Sequence, residues 1–167
     1  ISSLKDGLTP IEYFIGTHGS RKGLTDVALN TAKAGYLTRR LFDVAQDAII
    51  TERDCKTKAG MKVKRSDVTG VGISFARTMR GRFSAEEVKA GNGRVVAAKN
   101  TLIDQGVANE IEASDIDEVL VRSPISCATL RGICQTCYGI DLGTGELVEL
   151  GEAVGTVAAQ AIGEPST

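Results

Sequence analysis

Apolar residues recur at helical spacing through the first part of the chain, from Pro10 to about Gln46, and predict one long helix. The stretch GLTPIEYF supplies its start, because Thr9 is a candidate N-cap, Pro10 suits the first helical position and Glu12 completes a capping box. A continuous helix of this span would be about 55 Å long, well beyond the ordinary globular helix. Its interior holds glycines at positions 16, 19, 23 and 35, each costing about 1 kcal/mol relative to alanine. Such a helix must be held by its surroundings or must bend, and the alternative is two helices broken around GTHGSRKG.

From Cys55 to Ser126 the pattern changes to short apolar runs separated by turn residues. MKVKR, GRVVAAK and EVLVRSPI predict strands, whereas SAEEV and TLIDQGVANEI predict short helical or turn segments, so the region is expected to be α+β. Further on, LGEAVGTVAAQAIGEP predicts a second helix, with Glu152 in its first turn and Gly163 and Pro165 at its end. Nearly every side chain of this helix is small, so it can lie very close to a neighbouring element.

Composition indicates a folded protein, since 167 residues with 42% hydrophobic content suffice for one ordinary domain or two small ones. The net charge of -1 hides local contrast: HGSRKG and LTRR are basic and DQGVANEIEASDIDE is acidic, so a nucleic-acid partner would have to be met by a patch. No apolar run approaches the roughly 18 residues that span a bilayer, and we expect a cytoplasmic location. The chain begins at Ile1 without methionine and stops at GEPST, which indicates a piece of a longer protein.

Four cysteines are the main candidates for chemistry. Cys134 and Cys137 form a C-x-x-C within CQTCYG, a tight turn in which two thiolates can face one metal ion at about 2.3 Å. Cys127 precedes them by seven residues and is favoured as a third ligand, while the distant Cys55 carries no spacing signal of its own. A Cys₄ set would form a closed, structural zinc site. The alternatives are a redox pair, two disulfides or unrelated buried thiols, of which disulfides are disfavoured in a reducing compartment.

The long helix offers a second candidate surface. Arg21 and Arg39 are 18 residues apart, or five turns, and therefore point the same way about 27 Å from each other. Small and polar residues lie near the line that joins them: Thr17, Thr25, Ala28, Ala32 and Gly35. The opposite arc is apolar and holds Val27, Ala34, Leu37 and Leu41. The arginine face suits a planar or polyanionic ligand, and the alternative is that its small residues serve close helix packing beside solvated arginines.

A catalytic constellation is not expected within the chain. His18 is the single histidine, so no His-based metal site is possible. The stretch GTGE lacks the lysine and serine of a phosphate-binding P-loop, and the acids of EASDIDE are not arranged as a D-x-D-x-D triad.

Three stretches resemble one protein family, in that family's order. YFIGTHGSRKGLTDVALNTAKAGYLTRRLFDVAQD, residues 13–47, resembles the bridge helix of the largest, beta-prime subunit of bacterial multisubunit DNA-directed RNA polymerase. RSPISCATLRGICQTCYGIDL resembles the second zinc site of that subunit, and GEAVGTVAAQAIGEP resembles the segment that leads into its trigger loop. These specific motifs cover about half of the chain, whereas residues 56–118 match only loosely and no site is predicted there.

The resemblance implies a role for the long helix, which in that family crosses the cleft beside the active site and the downstream DNA. Thr31, Ala32 and Gly35 would lie against the nascent base pair, with Tyr36 nearby. Contacts to the template backbone, or electrostatic support of the helix, would come from Arg21, Lys22, Arg39 and Arg40. The glycines would act as hinges during translocation, from 19 to 23 and at 35. Asn30 stands where many relatives carry lysine, so no backbone contact is predicted there.

The resemblance also assigns the remaining sites and the organisation. The zinc ligands would be Cys55, Cys127, Cys134 and Cys137. Gln160 and Glu164 would lie on the first arm of the trigger loop, beside the bridge helix. The implied fold is α+β, with a long bridging helix, a small mixed α/β zinc-stabilised region and a C-terminal helix, within a larger multidomain subunit. The implied segments are a lead-in (1–9), the bridge helix and its exit (10–54), the mixed α/β region (55–146) and a truncated trigger-loop arm (147–167).

The implied activity is DNA-templated RNA synthesis by a nucleotidyltransferase. Catalytic Mg²⁺ would be held by aspartates outside this chain, so the isolated piece is expected to be inactive. The implied partners are the beta, alpha, omega and sigma subunits, the DNA template with its RNA-DNA hybrid, and nucleoside triphosphates near the bridge helix, with no membrane and a location at the bacterial nucleoid. The alternative is a stand-alone zinc-containing module that binds nucleic acid or protein.

Overall fold

The computed structural model describes residues 2–68, 73–91 and 93–166. Ile1 and Thr167, the outer ends of the predicted lead-in and arm, lie outside the described residues. The chain divides into two compact units, one of residues 1–46 with 155–167 and the other of residues 47–154. Among the described residues, no helix combines the length and the apolar character needed to cross a lipid bilayer.

The first unit is built on α1, an unbroken helix of 36 residues, Pro10–Ala45. Its start is the predicted capping box: the Thr9 backbone amide donates to Glu12 Oε2 at 2.9 Å, and the Glu12 amide donates to Thr9 Oγ1 at 3.4 Å. The alternative of two helices broken around GTHGSRKG is therefore wrong. Along α1 only Ala34 is buried. Few residues of this chain therefore pack against α1. A helix with several glycines is stabilised mainly by packing, so most of the support for α1 must come from outside this chain.

The C-terminal helix, α5 (Val154–Ser166), packs on α1 within this unit through its residues after 154. Ala159 and Gly163 are buried, and a Cβ built on Gly163 would lie 2.8 Å from the Cβ of Thr38. The small side chains therefore allow a close approach of two backbones, as the sequence predicts. The predicted bounds of this helix are wrong, because Glu152 precedes it and it continues through Gly163 and Pro165. Gly163 is a packing residue here and does not end the helix.

In the part of the second unit that the structure describes, there are three two-stranded sheets with short helices around them. Strand β1 (Ile50–Glu52) pairs in parallel with β6 (Ile133–Cys134). The antiparallel pairs are β2 (Met61–Lys64) with β5 (Glu118–Val121), and β3 (Val88–Lys89) with β4 (Val95–Ala97). The helices are α2 (Phe75–Met79), α3 (Gln105–Ala113) and α4 (Gln135–Tyr138), with 3-10 turns at Arg65–Asp67 and Pro124–Ser126.

These elements confirm most of the sequence pattern. Strands occur within MKVKR, GRVVAAK and EVLVRSPI, and TLIDQGVANEI contains α3. SAEEV forms a bend that leads into β3 rather than a helix, while α2, which is capped by the Ser74 side chain, is not predicted by the pattern. The main core combines α2, α3 and β5, with Met79, Ile111 and Val121 fully buried.

Arg65 closes this core at the end of α3. Its guanidinium donates to the carbonyls of Glu112, Ser114 and Ile116 at 3.1 to 3.3 Å and lies 5.0 Å from the ring centre of Phe75. The last carbonyls of a helix have no partner within the helix, and the bond to Glu112 satisfies one of them, while the bonds to Ser114 and Ile116 hold the turn that follows α3.

Candidate metal centre and helix surface

The second unit brings the four cysteines together. Their Sγ atoms all lie within 4.8 Å of one another, and the Sγ atom of Cys55 is 3.7 Å from those of both Cys127 and Cys137. Four sulfurs placed about 2.3 Å from one tetrahedral ion would be about 3.8 Å apart. All four are free thiols, and separations of this size exceed the roughly 2.05 Å of a disulfide. The donor set and its spacing therefore fit a tetrahedral metal ion.

Parallel pairing of β1 with β6 explains how Cys55 joins ligands more than seventy residues away. Ile50 faces Ile133, and Glu52 faces Cys134. Beyond the strands, the amide and the hydroxyl of Thr136 both donate to the Arg53 carbonyl, at 3.1 and 2.9 Å. These bonds hold the C-x-x-C segment against the chain that leads to Cys55. The approach of Cys55 to the other cysteines therefore depends on backbone pairing between β1 and β6, which the spacing of the cysteines in the sequence does not reveal.

Two glycines shape the backbone around the C-x-x-C segment. Gly132 and Gly139 have φ values of +81° and +95°, which favour glycine. A Cβ on Gly132 would collide with the Ile49 carbonyl, and one on Gly139 would collide with the Gly81 carbonyl. Both positions therefore require glycine on steric and on conformational grounds.

The C-x-x-C forms a single helical turn rather than an irregular one. Cys134 is the N-cap of α4, and its Sγ accepts from the Cys137 amide at 3.3 Å. A backbone N–H that donates to sulfur stabilises a thiolate. The parallel β1–β6 pair has two strands, and α4, the helix that begins at the C-x-x-C, has four residues, so the context differs from that of a redox βαβ motif.

The thiols have different tendencies to ionise. Burial acts to raise the pKa of Cys55, but hydrogen bonds from the amides of Ala128 and Thr57 outweigh it and lower the pKa to about 6. Burial raises the pKa of Cys134 and of Cys137 above the usual thiol value. Two ligands therefore need a cation to become thiolates, as a metal ion would provide.

A side chain that the sequence reasoning missed lies against the sulfurs. Arg122 is 1% exposed, and its guanidinium lies 3.3 to 3.4 Å from the sulfurs of Cys137 and Cys55. It also pairs with Asp54 at 2.7 Å. Burial acts to lower the Arg122 pKa, but the bonds to Asp54 and Cys137 outweigh it, so the pKa is raised and the side chain is a cation. Its only sequence signal is a charge directly after the apolar run VLV.

Cys127 has its own polar neighbour. Its Sγ lies 3.0 Å from Thr129 Oγ1, and the Thr129 hydroxyl donates to Glu52 Oε1 at 2.7 Å. Cys127 thus has a polar contact of its own, apart from the Arg122 guanidinium that lies against the other three sulfurs.

The predicted residues of α1 are exposed in this structure. Thr31, Ala32, Gly35 and Tyr36 are all exposed, as are the four basic residues Arg21, Lys22, Arg39 and Arg40. The Arg40 guanidinium lies 5.5 Å from the ring centre of Tyr36. The residues of the predicted apolar arc differ in their exposure to solvent: Ala34 is buried, whereas Val27 and Leu37 are 63% and 43% exposed.

A cleft of about 710 Å³ between α1 and α5 gathers some of the predicted residues. Gly35 and Arg39 line it from α1, and Gln160 and Glu164 line it from α5. Arg21, Lys22, Thr31, Ala32, Tyr36 and Arg40 do not line it. One end of the arginine face, at Gly35 and Arg39, therefore lies beside α5, while the close contact between the two helices is made by Thr38 and Gly163.

Comparison with known proteins agrees with this arrangement. A family model described as RNA polymerase Rpb1, domain 5, matches residues 7–167. The chain is 51% identical over 170 residues to the DNA-directed RNA polymerase subunit beta' of Mycoplasmopsis pulmonis, with 99% of this chain and 12% of that protein covered. It is 50% identical over 167 residues to the subunit of the same name from Roseiflexus castenholzii, with 99% and 11% covered. The chain therefore spans about 12% of the length of the curated relatives it matches, and it belongs to the RNA polymerase Rpb1, domain 5, family as a counterpart of one segment of the bacterial beta' subunit.

Proposed function

We propose that the chain serves DNA-templated RNA synthesis as the segment of an RNA polymerase that carries the bridge helix and a structural zinc ion. The observation that carries this proposal is the combination of the unbroken 36-residue α1 with a four-sulfur cluster in a chain of this family. The segments would be a lead-in (1–9), the bridge helix and its exit (10–54), the zinc-bearing region (55–146) and the first trigger-loop arm (147–167).

The zinc ion would be held by Cys55, Cys127, Cys134 and Cys137. The sulfur separations near 3.7 Å support this ligand set. When bound, zinc would supply folding energy rather than catalysis, because four thiolates leave no open coordination position. The protein's own contribution is to fix β1, β6 and α4 so that their sulfurs converge.

The exposed middle of α1 would face the nascent base pair. Thr31, Ala32 and Gly35 present short side chains there, and Tyr36 stands beside them. A Cβ built on any of the glycines of α1 meets no atom of this chain within 4 Å. Packing within the chain therefore does not explain these glycines, which supports hinges at 19 to 23 and at 35.

Basic residues of α1 would meet the template strand. Arg21, Lys22, Arg39 and Arg40 are exposed, and guanidinium and ammonium groups are the usual partners of phosphate oxygens. Gln160 and Glu164 would form part of the trigger-loop arm, which their position on α5 in the cleft beside α1 supports.

The complete reaction would need groups outside this chain. We place the aspartates that hold catalytic Mg²⁺ elsewhere in the enzyme, together with the beta, alpha, omega and sigma subunits and the bound nucleic acid, in the bacterial cytoplasm. Nucleotide addition is then a phosphoryl transfer in which α1 positions the reacting base pair.

A bulky substitution on the exposed face tests this role. In assembled polymerase, Ala32→Leu should slow nucleotide addition roughly tenfold or more, because small displacements of reacting groups have large effects on rate. Val27→Leu is the matched control, since Val27 is 63% exposed and lies about 140° around the helix from Ala32. Equal elongation rates for Ala32→Leu and the unsubstituted enzyme, with assembly intact, would refute the proposed face.

A further inference from the structure

Arg122 is the most buried charged side chain next to the cysteine cluster, with 1% of its surface exposed. Its Nε donates to Cys137 Sγ at 3.4 Å, and its Nη2 lies 3.3 Å from Cys137 Sγ and 3.4 Å from Cys55 Sγ. A longer contact of 3.9 Å reaches Cys134 Sγ. One guanidinium group thus lies within 3.9 Å of three of the four sulfurs.

Two polar side chains, Asn100 and Asp54, hold Arg122 in place, and Nη2 is shared between Asp54 and the sulfurs. Nη1 donates to Asn100 Oδ1 at 3.1 Å, and Nη2 donates to Asp54 Oδ1 at 2.7 Å. Asp54 itself accepts from the Lys56 amide at 2.9 Å, so its carboxylate is fixed within the turn that carries Cys55. Asn100 adopts a φ of +58°, and its backbone amide donates to the Ser84 carbonyl. The guanidinium is therefore positioned from two sides.

The position of Arg122 affects the net charge of the buried metal site. Four thiolates around a divalent ion carry a net charge of about -2. Cys134 and Cys137 are buried, where an uncompensated charge is costly. Arg122 supplies one positive charge inside the same buried region, whereas its partner Asp54 keeps 33% of its side chain exposed to water. Water can therefore stabilise the carboxylate more readily than it can the buried sulfurs.

We infer that Arg122 is a positioning residue for the four-sulfur site: its planar guanidinium neutralises the thiolate cluster and directs the sulfurs of Cys55 and Cys137 toward the metal. This inference rests on the proposed zinc function. A planar fork of donors is needed to reach several sulfurs at once, and a lysine ammonium at the same position would keep the charge but not the fork.

The test is zinc affinity of the 167-residue chain, measured by competition with a chromophoric chelator. Arg122→Met, which keeps the volume and removes the charge, should weaken zinc binding about 10- to 100-fold, as loss of a group that supports metal ligands typically does. Arg122→Lys should give an intermediate affinity. If the Met variant fails to fold, an Arg122→Lys affinity equal to that of the unsubstituted chain overturns the inference.

Cobalt(II) provides a second readout that a purely structural role would not move. N–H donation to sulfur lowers the electron density on the ligand, so Arg122→Met should shift the sulfur-to-cobalt charge-transfer band to longer wavelength. The matched control is Arg65→Met, because Arg65 also makes several hydrogen bonds, but to backbone carbonyls. Arg65→Met should lower resistance to urea while leaving the cobalt spectrum unchanged.

The outcomes separate the zinc site from the role of Arg122. If the unsubstituted chain binds neither zinc nor cobalt, the proposed zinc site fails and this inference falls with it. If the unsubstituted chain binds both metals and Arg122→Met matches it in zinc affinity and in cobalt spectrum, the zinc site stands and the role of Arg122 is refuted.

Discussion

Gly163 on α5 gives a direct test of how closely α5 packs on α1. A Cβ added there would lie 2.8 Å from the Cβ of Thr38, whereas carbon atoms in contact are about 3.5 to 4.0 Å apart. The two helices would have to separate by roughly 1 Å, and overpacking of this kind typically costs about 1 to 3 kcal/mol. Replacing a helical glycine by alanine also gains about 1 kcal/mol of helix propensity, which offsets part of that cost.

Gly16→Ala isolates the propensity gain. Gly16 lies on α1 and nothing stands within 4 Å of a Cβ built on it, so alanine there should stabilise the chain by about 1 kcal/mol. Gly163→Ala should then be less stable than Gly16→Ala by about 1 to 3 kcal/mol. The assay is urea unfolding of the full chain, followed by helical circular dichroism. Equal stabilisation by the two substitutions would refute the close contact between Gly163 and Thr38.

Two further substitutions concern α1. Gly35→Ala should stabilise the isolated chain by about 1 kcal/mol, since a Cβ built on Gly35 meets no atom within 4 Å, yet slow elongation by assembled polymerase if position 35 is a hinge; an unchanged elongation rate would count against the hinge. The Glu12 pKa is lowered to about 2 by hydrogen bonds from the Thr9 amide and then its hydroxyl, so its stabilising effect is complete above the ordinary value of 4.5 and is lost as the pH falls towards 2. Protection of the Thr9 amide against hydrogen exchange, taken relative to an unstructured peptide at the same pH, should therefore fall over that range, and much less so in Glu12→Gln, whose amide caps without titrating. Protection that falls equally in both proteins would contradict this cause.

The sequence predicts α1 well because its signals are local. The Thr9 and Glu12 capping box lies within four residues, and the helix that follows has no interior proline. The predicted end of α5 is wrong because a glycine in the sequence can either end a helix or allow another helix to pack closely, and the sequence alone does not distinguish the two roles. Only the position of Thr38 in three dimensions distinguishes these roles.

The cysteine cluster shows the same division between local and distant information. Cys134 and Cys137 are predicted from spacing, whereas the approach of Cys55 depends on the parallel pairing of β1 and β6. Arg122 could not be assigned from the sequence, because an arginine after an apolar strand is ordinarily solvated. Arg122 can be buried because its guanidinium pairs with Asp54 and with the sulfurs, which are distant in the sequence.

The most direct test of the central claim is the zinc content of the purified chain, measured by mass spectrometry of the metal. The account predicts one tightly bound zinc ion per chain in the unsubstituted protein, because four sulfurs within 4.8 Å of one another form a single closed site. Cys55→Ser should lower both the zinc content and the free energy of unfolding. Full zinc occupancy in Cys55→Ser would remove Cys55 from the site, and an unsubstituted chain that binds no zinc would contradict the account.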